Sequence, residues 1–515
     1  MLDDALRGLL GMRPRAVVTP RPDRPRRAAG AAVVVGGGIA GVSAALVLAE
    51  RGIRVTLLEA ADHLGGRLGA WPRTLPDGTV QRVEHGFHGF FRQYYTWRSL
   101  LRRIDPELGF LRPLAGYPVI SRTWPAEDFA SLPGLPPLNL LALVATSPSL
   151  RLRDLRYIDR VAATTLLEFD RDATYAELDA TTAKDFLDRL AMPDRARAVL
   201  FEVFGHSFFN REEEFSAAEL VMMFHFYFLA NPEGLGMDVT ADDHGSCVWD
   251  PFGAMLSGLG VDIRTGTTVD RLEKTGSGWR TVASGGSTVD APHAILALDP
   301  AALRSVVAAS DGLPATLVSQ AAGLTTSAPY AVARFWTDRP VRADRPVFSG
   351  VSREPTLDSI TVYSRLEDGA RSWAGRTGGE VLELHAYAAE HGIGARDAAD
   401  RMWGELGALW PETAGLRVLD REIRVGHDAP GFPPGSDATR PGVRTPDPTL
   451  LLAGDWVRLP FPSALMERAA TTGVLAANDI LTRAGARAEP VTTLRPTGLL
   501  AGRRNVAHAT TVRGQ

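Results

Sequence analysis

Three glycines and one glutamate carry the plainest chemistry in this sequence. Gly36, Gly38 and Gly41 complete a G-x-G-x-x-G pattern, and Glu59 closes the apolar run that follows. In a dinucleotide site the first glycine makes a tight turn, and the second lets the backbone approach a pyrophosphate. The third lets helix and strand pack closely, and an acidic residue such as Glu59 accepts a hydrogen bond from a ribose hydroxyl. A second constellation is the stretch 83–95, VEHGFHGFFRQYY, dense in aromatic and titratable groups. Neutral imidazole accepts a proton near pH 7, so His88 is the first candidate for a general base, followed by His85 and His206. The alternative for each is a histidine that only holds structure by hydrogen bonding. Arg92 is read as a partner of Glu84, as a group orienting a cofactor, or as a surface arginine. His225 and His385 have neighbours that suggest a core. No carboxylate–histidine set has metal-ligand spacing, so no metal is expected.

These residues need particular elements around them. Ala31–Val35 reads as a buried parallel strand, a small-residue helix follows Gly38, and Arg54–Leu58 reads as a second strand ending at Glu59. That is the order of a βαβ nucleotide-binding unit. Further strands are expected at Val261–Arg264, at Thr268–Leu272 leading into a hairpin through Gly276–Gly278, and at His293–Ala297. Leu451–Ala453 reads as a strand turning at Gly454 and Asp455, with a helix over Ala464–Leu481. Asp159–Phe169 and Ala183–Leu200 have helical apolar spacing. Val381–Tyr387 alternates like a half-buried strand. The fold class is α/β. No second glycine motif of this quality exists, which argues against a separate pyridine-nucleotide domain.

At 515 residues the chain can bury a large core, and two intertwined domains are expected. A net charge of −4 gives no sign of nucleic-acid binding. Cys247 is the single cysteine, so no intrachain disulfide forms and a reducing cytoplasm fits. Residues 1–29 are rich in Arg and Pro and read as a flexible arm without a signal-peptide core; residues 486–515 read as a weakly ordered tail. No apolar run is a credible transmembrane helix. Phe129–Leu150 carries no charge but is interrupted by Pro133, Pro136, Pro137 and Pro148, and Arg151, Arg153, Arg156 and Arg160 follow. An apolar patch with a basic rim suits peripheral contact with a bilayer, here over about 129–160. The plainer reading is a core helix followed by a solvated basic face.

His63-Leu64-Gly65-Gly66-Arg67 resembles the flavoprotein group that includes amine oxidases and carotenoid desaturases. The resemblance implies FAD, with Gly66 and Arg67 at its diphosphate and the backbone near Val269 clamping adenine. It places Gly454 and Asp455 at the ribityl and pyrophosphate region, and the helix beginning near Met466 aimed at the flavin pyrimidine. It also implies a Rossmann-like FAD-binding domain of the amine oxidase/phytoene desaturase type, made of 30–100, 255–305 and 425–485. An interleaved α+β substrate domain would then be 101–254 and 306–424. GFHGFFRQYY resembles more narrowly the actinobacterial isorenieratene synthases, and so do the strings at 204–210, 216–228, 231–235, 382–387 and 453–473. Those enzymes convert the β-ring of a carotene to an aromatic φ-ring. The resemblance implies a lipophilic, β-carotene-like substrate, hydride transfer to flavin, migration of one methyl group in the resulting cation, and proton loss to a base. Phe87, Phe90, Phe91, Tyr94, Tyr95 and the 222–228 run are candidates for the cation-stabilising wall or for core. The terminal electron acceptor is open between quinone and oxygen, and the ring outcome between φ and the isomeric χ. Rival readings are a desaturase of linear polyenes, an FAD-bearing carrier, and an amine oxidase. The last commonly needs a lysine near the flavin, and neither Lys184 nor Lys274 stands in a convincing position.

Overall fold

The computed structural model describes residues 12–129 and 132–501. A five-stranded sheet runs in the order Asp262–Arg264, Arg54–Leu58, Ala31–Val35, His293–Leu296, Leu450–Leu452. Every neighbouring pair in it is parallel. Parallel sheets are covered on both faces, so their strands read as continuous apolar runs, and Ala32–Val35 is buried throughout. The helix Ile39–Glu50 is buried at every position from Ile39 to Ala49. An all-apolar helix of this kind belongs inside a core. It crosses the long helix Leu465–Arg483 at Gly473, where an added Cβ would lie 2.1 Å from the carbonyl oxygen of Ala40. An antiparallel three-stranded sheet, Val269–Thr275, Gly278–Ala283 and Thr288–Ala291, stands beside this core.

A six-stranded sheet forms the floor of the other half, in the order Val418–Gly426, Tyr330–Thr337, Glu380–Ala386, Ser359–Val362, Phe348–Val351, Val119–Ile120. The strand Glu380–Ala386 is buried at all seven positions, whereas its alternation suggested a half-buried one. Leu382, Leu384 and Ala386 join the core that includes Met402 and Leu406 of the helix Ala395–Leu409. On the opposite face of the strand, Glu383 and His385, also buried, bond to each other. The expected helix over Ala183–Leu200 is broken. Ala183–Leu190, capped by the Thr182 hydroxyl, stops at Ala191 in the left-handed region, with φ 55°. Pro193 forbids continuation of the same helix, and a new turn starts at Asp194 and passes into a π-helical segment, Ala198–Glu202.

Both ends of the described chain differ from the expectation of loose segments. Arg15–Val18 pairs antiparallel with Val491–Thr493. Arg487 N–H donates to Pro25 O at 2.8 Å, and Glu489 exchanges hydrogen bonds with Asn478. Backbone pairing and a buried carboxylate supply what composition alone did not suggest. Residues 1–11 and 502–515 of the expected arm and tail lie outside the described residues. Among the described residues no helix is long and apolar enough to cross a membrane.

Candidate active site

A single cavity of about 950 Å³ runs from the glycine turn to the six-stranded sheet. Gly36, Gly38, Glu59, Gly66, Arg67, Val269, Gly454, Asp455 and Met466 all line it. Gly36 has φ +106°, and a Cβ there would stand 2.2 Å from Ala297 O. Gly41 lies behind the lining, where a Cβ would stand 1.8 Å from Gly36 O, so it serves packing. Gly38 is different. It has an extended backbone, and no protein atom comes nearer than 3.9 Å to an added Cβ. The fold does not demand a glycine there, and the open side faces the cavity.

Two helix N-termini meet this cavity without a side-chain cap, at Gly38 before Ile39–Glu50 and at Ala464 before Leu465–Arg483. Uncapped N–H groups and the positive end of a helix form a ready site for an anionic group. Glu59 is pinned at the wall, its two oxygens accepting from Gly37 N–H at 2.5 Å and Ala61 N–H at 2.8 Å. Arg67 Nη2 donates to Asp455 Oδ1 at 2.7 Å, joining residues from opposite ends of the chain. An open face at Gly38, uncapped helix ends, an arginine and a fixed carboxylate fit a dinucleotide cofactor.

The far part of the cavity is walled by aromatic side chains, among them Phe87, Phe91, Tyr94, Phe204, Phe208 and Tyr227. Phe90, Met222, Met223 and Phe226 are core instead. His85 and His88 both line the cavity. His88 Nδ1 donates to Gly86 O at 2.7 Å, which leaves Nε2 with the lone pair. Burial, assisted by His244, lowers the His88 pKa to about 3. Burial also takes His85 down to about 4, and Arg424 and Arg67 add to this against the pull of Asp428. His85 Nε2 lies 3.1 Å from the Tyr330 hydroxyl, which donates to Asp428 at 2.6 Å.

Three sequence expectations need correction. Arg92 neither pairs with Glu84 nor lines the cavity; it is exposed and faces Asp238 at 3.4 Å. The strand pairing Phe90–Phe91 with Met237–Asp238 sets that partner. His206 lies outside the cavity, in a separate charged pocket, with Nδ1 2.9 Å from Asp358 Oδ1. His385, expected as plain core, lines the cavity with Nε2 2.7 Å from Glu383 Oε1.

Beneath His88 and His385 lies a buried ionic cluster that the sequence reading missed. Arg334 Nε donates to Glu383 at 2.8 Å and Nη2 to Glu84 at 3.3 Å, and its guanidinium lies 3.7 Å from the Tyr363 ring centre. His244 N–H donates to Glu84 at 2.6 Å. Burial opposes charge on Glu84, but His244 and Arg334 outweigh it and hold the carboxyl well below its ordinary range. Glu367 is pushed the other way by burial and by Glu84. The available signal was Glu383 and His385 set between the apolar residues Leu382, Leu384 and Ala386, since buried charges need partners.

Residues 39–481 match the model of the flavin containing amine oxidoreductase family. The chain is 44% identical over 497 residues to a carotenoid phi-ring synthase of Streptomyces griseus, covering 96% of each chain. It is 28% identical to a carotenoid phi-ring synthase of Chlorobaculum tepidum, covering 91% of each. Among solved structures, cyclohexylamine oxidase from Brevibacterium oxydans superposes with TM-score 0.63 at 15% identity, over 88% of this chain and 99% of that one. A putrescine oxidase superposes with TM-score 0.62 at 18% identity, again over 88% and 99%. The chain therefore belongs to the flavin containing amine oxidoreductase family, and within it to the group of the carotenoid phi-ring synthases.

Proposed function

We propose that this chain uses FAD to convert the β-rings of a carotenoid to aromatic φ-rings, by desaturation coupled to a 1,2-methyl shift. The observation that carries the reading is the continuity of one cavity from a dinucleotide cradle to an aromatic, largely apolar chamber. The similarity of nearly the whole chain to a carotenoid phi-ring synthase supports the same substrate class. When bound, FAD supplies the acceptor for hydride. Gly36, Gly38, Gly66 and Arg67 would hold its diphosphate, Glu59 its ribose, and the backbone at Val269 its adenine. Gly454 and Asp455 would hold the ribityl chain, and the helix end at Met466 would stabilise negative charge on the flavin. Loss of hydride from the β-ring leaves a carbocation, and the faces of Phe87, Phe91 and Tyr227 stabilise it. The quaternary ring carbon must lose a methyl group to its neighbour before the ring can become aromatic. His88 offers the Nε2 lone pair to a ring proton. Burial keeps it uncharged at rest, and a weak base suffices because a carbocation on the way to an arene is a strong acid.

An amine oxidase reading is disfavoured by the lysines. Lys184 pairs with Asp188 at 2.6 Å and Lys274 with Asp447 at 2.5 Å, and neither lines the cavity.

The substrate resides in membranes, and the surface suits docking there. Leu138, Leu141, Leu152, Leu155, Tyr157 and Val161 make up six of the eleven exposed large hydrophobic side chains among the described residues. Arg151, Arg153, Arg156 and Arg160 stand among them. The helix Leu138–Thr146 buries only Asn139, whose side-chain amide donates to Phe228 O at 2.7 Å. Phe228 in turn meets the cavity-lining Phe204 edge to face at 4.7 Å, so the patch is adjacent to the aromatic chamber. A peripheral, cytoplasmic membrane face and quinone or oxygen as final electron acceptor complete the reading.

The test is incubation of purified, FAD-loaded protein with β-carotene in vesicles, followed by pigment mass and NMR. Loss of four hydrogens per converted ring with aromatic proton signals is expected. Unchanged pigment beside flavin-loaded protein refutes the reading.

A further inference from the structure

Aromatising one β-ring removes two hydrides and two protons. The protons are released into a chamber of aromatic walls, and an ion cannot leave through apolar side chains. His88 can take a proton, but its other nitrogen ends on the Gly86 carbonyl, and burial opposes a lasting charge. The wall also carries polar side chains, among them His85, His385, Asp428 and Asp358, and of these Asp358 bonds to a residue of another pocket. This carboxylate lines the cavity, and only 14% of its side chain is exposed. Oδ2 accepts the Tyr387 N–H at 2.7 Å, and Oδ1 lies 2.9 Å from His206 Nδ1. His206 faces the opposite way. It lines a separate pocket of about 530 Å³, walled by Lys184, Glu202, Glu212 and Arg353. One hydrogen bond thus spans the wall between the apolar chamber and a charged, solvent-facing pocket.

We propose that Asp358 and His206 form the proton outlet of the chamber. The inference rests on the ring-aromatisation reading. The C–H bond of the rearranged cation breaks, its electron pair forms the ring double bond, and the proton goes to His88 Nε2 and from there to the Asp358 carboxylate, which lines the same cavity. At rest His206 donates its Nδ1–H to Asp358, so a half-turn of the imidazole, whose side chain is 39% exposed, brings the Nε2 lone pair to the protonated carboxyl; Nε2 takes the proton, and the Nδ1 proton, now towards the outer pocket, leaves to solvent. Burial opposes charge on His206, but Asp358, Glu212 and Glu202 outweigh it and raise its pKa, so the intermediate imidazolium is supported.

The test uses the full-length, FAD-loaded protein and β-carotene vesicles, with His206→Gln, His206→Ala and Asp358→Asn. Glutamine keeps a donor to Asp358 but cannot relay a proton. Turnover is expected to fall by at least about tenfold in each variant, and added imidazole should restore turnover to His206→Ala in a saturable way. A merely structural histidine would not respond to imidazole. Wild-type rates in both His206 variants overturn the outlet, as does a slow His206→Ala that imidazole leaves slow. If Asp358→Asn loses flavin, the two His206 variants decide. Wild-type protein that leaves β-carotene unchanged overturns the aromatisation reading and the outlet together, whereas conversion by wild type with unimpaired variants overturns the outlet alone.

Discussion

At the scale of single residues, two glycines of one motif do different work, and the difference is measurable. Gly41→Ala drives a Cβ to 1.8 Å from the Gly36 carbonyl oxygen, a backbone clash that no rotamer relieves. It should cost about 3 kcal/mol of stability, read as a lowered unfolding midpoint. Gly38→Ala meets no protein atom within 3.9 Å and keeps an ordinary φ of −77°, so the apoprotein should melt as wild type does. Its methyl group fills the space in front of the helix end, so flavin absorbance per mole of protein should fall steeply. Equal flavin loading in the two proteins would remove Gly38 from the cofactor site. His88→Ala should retain flavin and lose about a hundredfold in kcat; unchanged turnover would take the base role away from it. The glycine motif was legible because each position answers to backbone geometry within one βαβ unit. Arg92 was not, because its partner Asp238 arrives on a distant strand. His206 and His88 look alike in sequence, and only the wall between two pockets separates their surroundings.

At the scale of elements, period and length located most strands and helices, and partners decided what they meant. The strand Glu380–Ala386 alternates as a half-buried strand does, yet the sheet places it third of six with both faces covered. Its polar positions therefore became a buried ionic cluster and not a wet face. The helix Leu138–Thr146 shows the reverse. An uncharged apolar segment suits a core helix as well as a membrane face, and here one residue of nine is buried. That exposure carries a prediction. Leu141 is 63% and Val161 76% exposed, so replacing both by Glu removes no packing and should leave the unfolding midpoint unchanged. Binding to anionic vesicles should weaken at least about tenfold, since burial of one such side chain is worth about 1.5–3 kcal/mol. Undiminished vesicle binding by the double variant would place the membrane contact elsewhere.

At the scale of the whole molecule, the chain crosses itself repeatedly, and that is why the site was only partly visible in sequence. Arg67 meets Asp455, Glu467 accepts from Thr96 and Trp97, and His225 reaches Arg495; each pairing spans hundreds of residues and leaves no local signal. His225 illustrates what such closure does to stability. It is fully buried, stacks on Phe169 at 4.5 Å, and its Nε2–H donates to Arg495 O at 2.9 Å. Burial lowers its pKa to about 4, and His85 and His88 are likewise held neutral. In the unfolded chain each returns to about 6.5. As pH falls below that value the unfolded state takes up protons that the folded state refuses, so stability declines from about pH 6.5 towards 4. Paired carboxylates act in a lower window: Glu219 must overcome burial, but Arg468 and Arg440 bring it to about 2, so its contribution is lost only as pH falls below about 4.5. Between pH 6.5 and 5 these histidines lower stability as pH falls, against the buried Glu467, whose carboxyl burial pushes up to about 7. His225→Gln keeps a donor for the Arg495 carbonyl and removes the titration. Denaturant unfolding at pH 7, 6 and 5 should show wild type losing stability more steeply than this variant, by up to about 1.4 kcal/mol per pH unit. Parallel pH profiles for the two proteins would mean that His225 is charged within the fold, and that the tail is not held by a neutral imidazole.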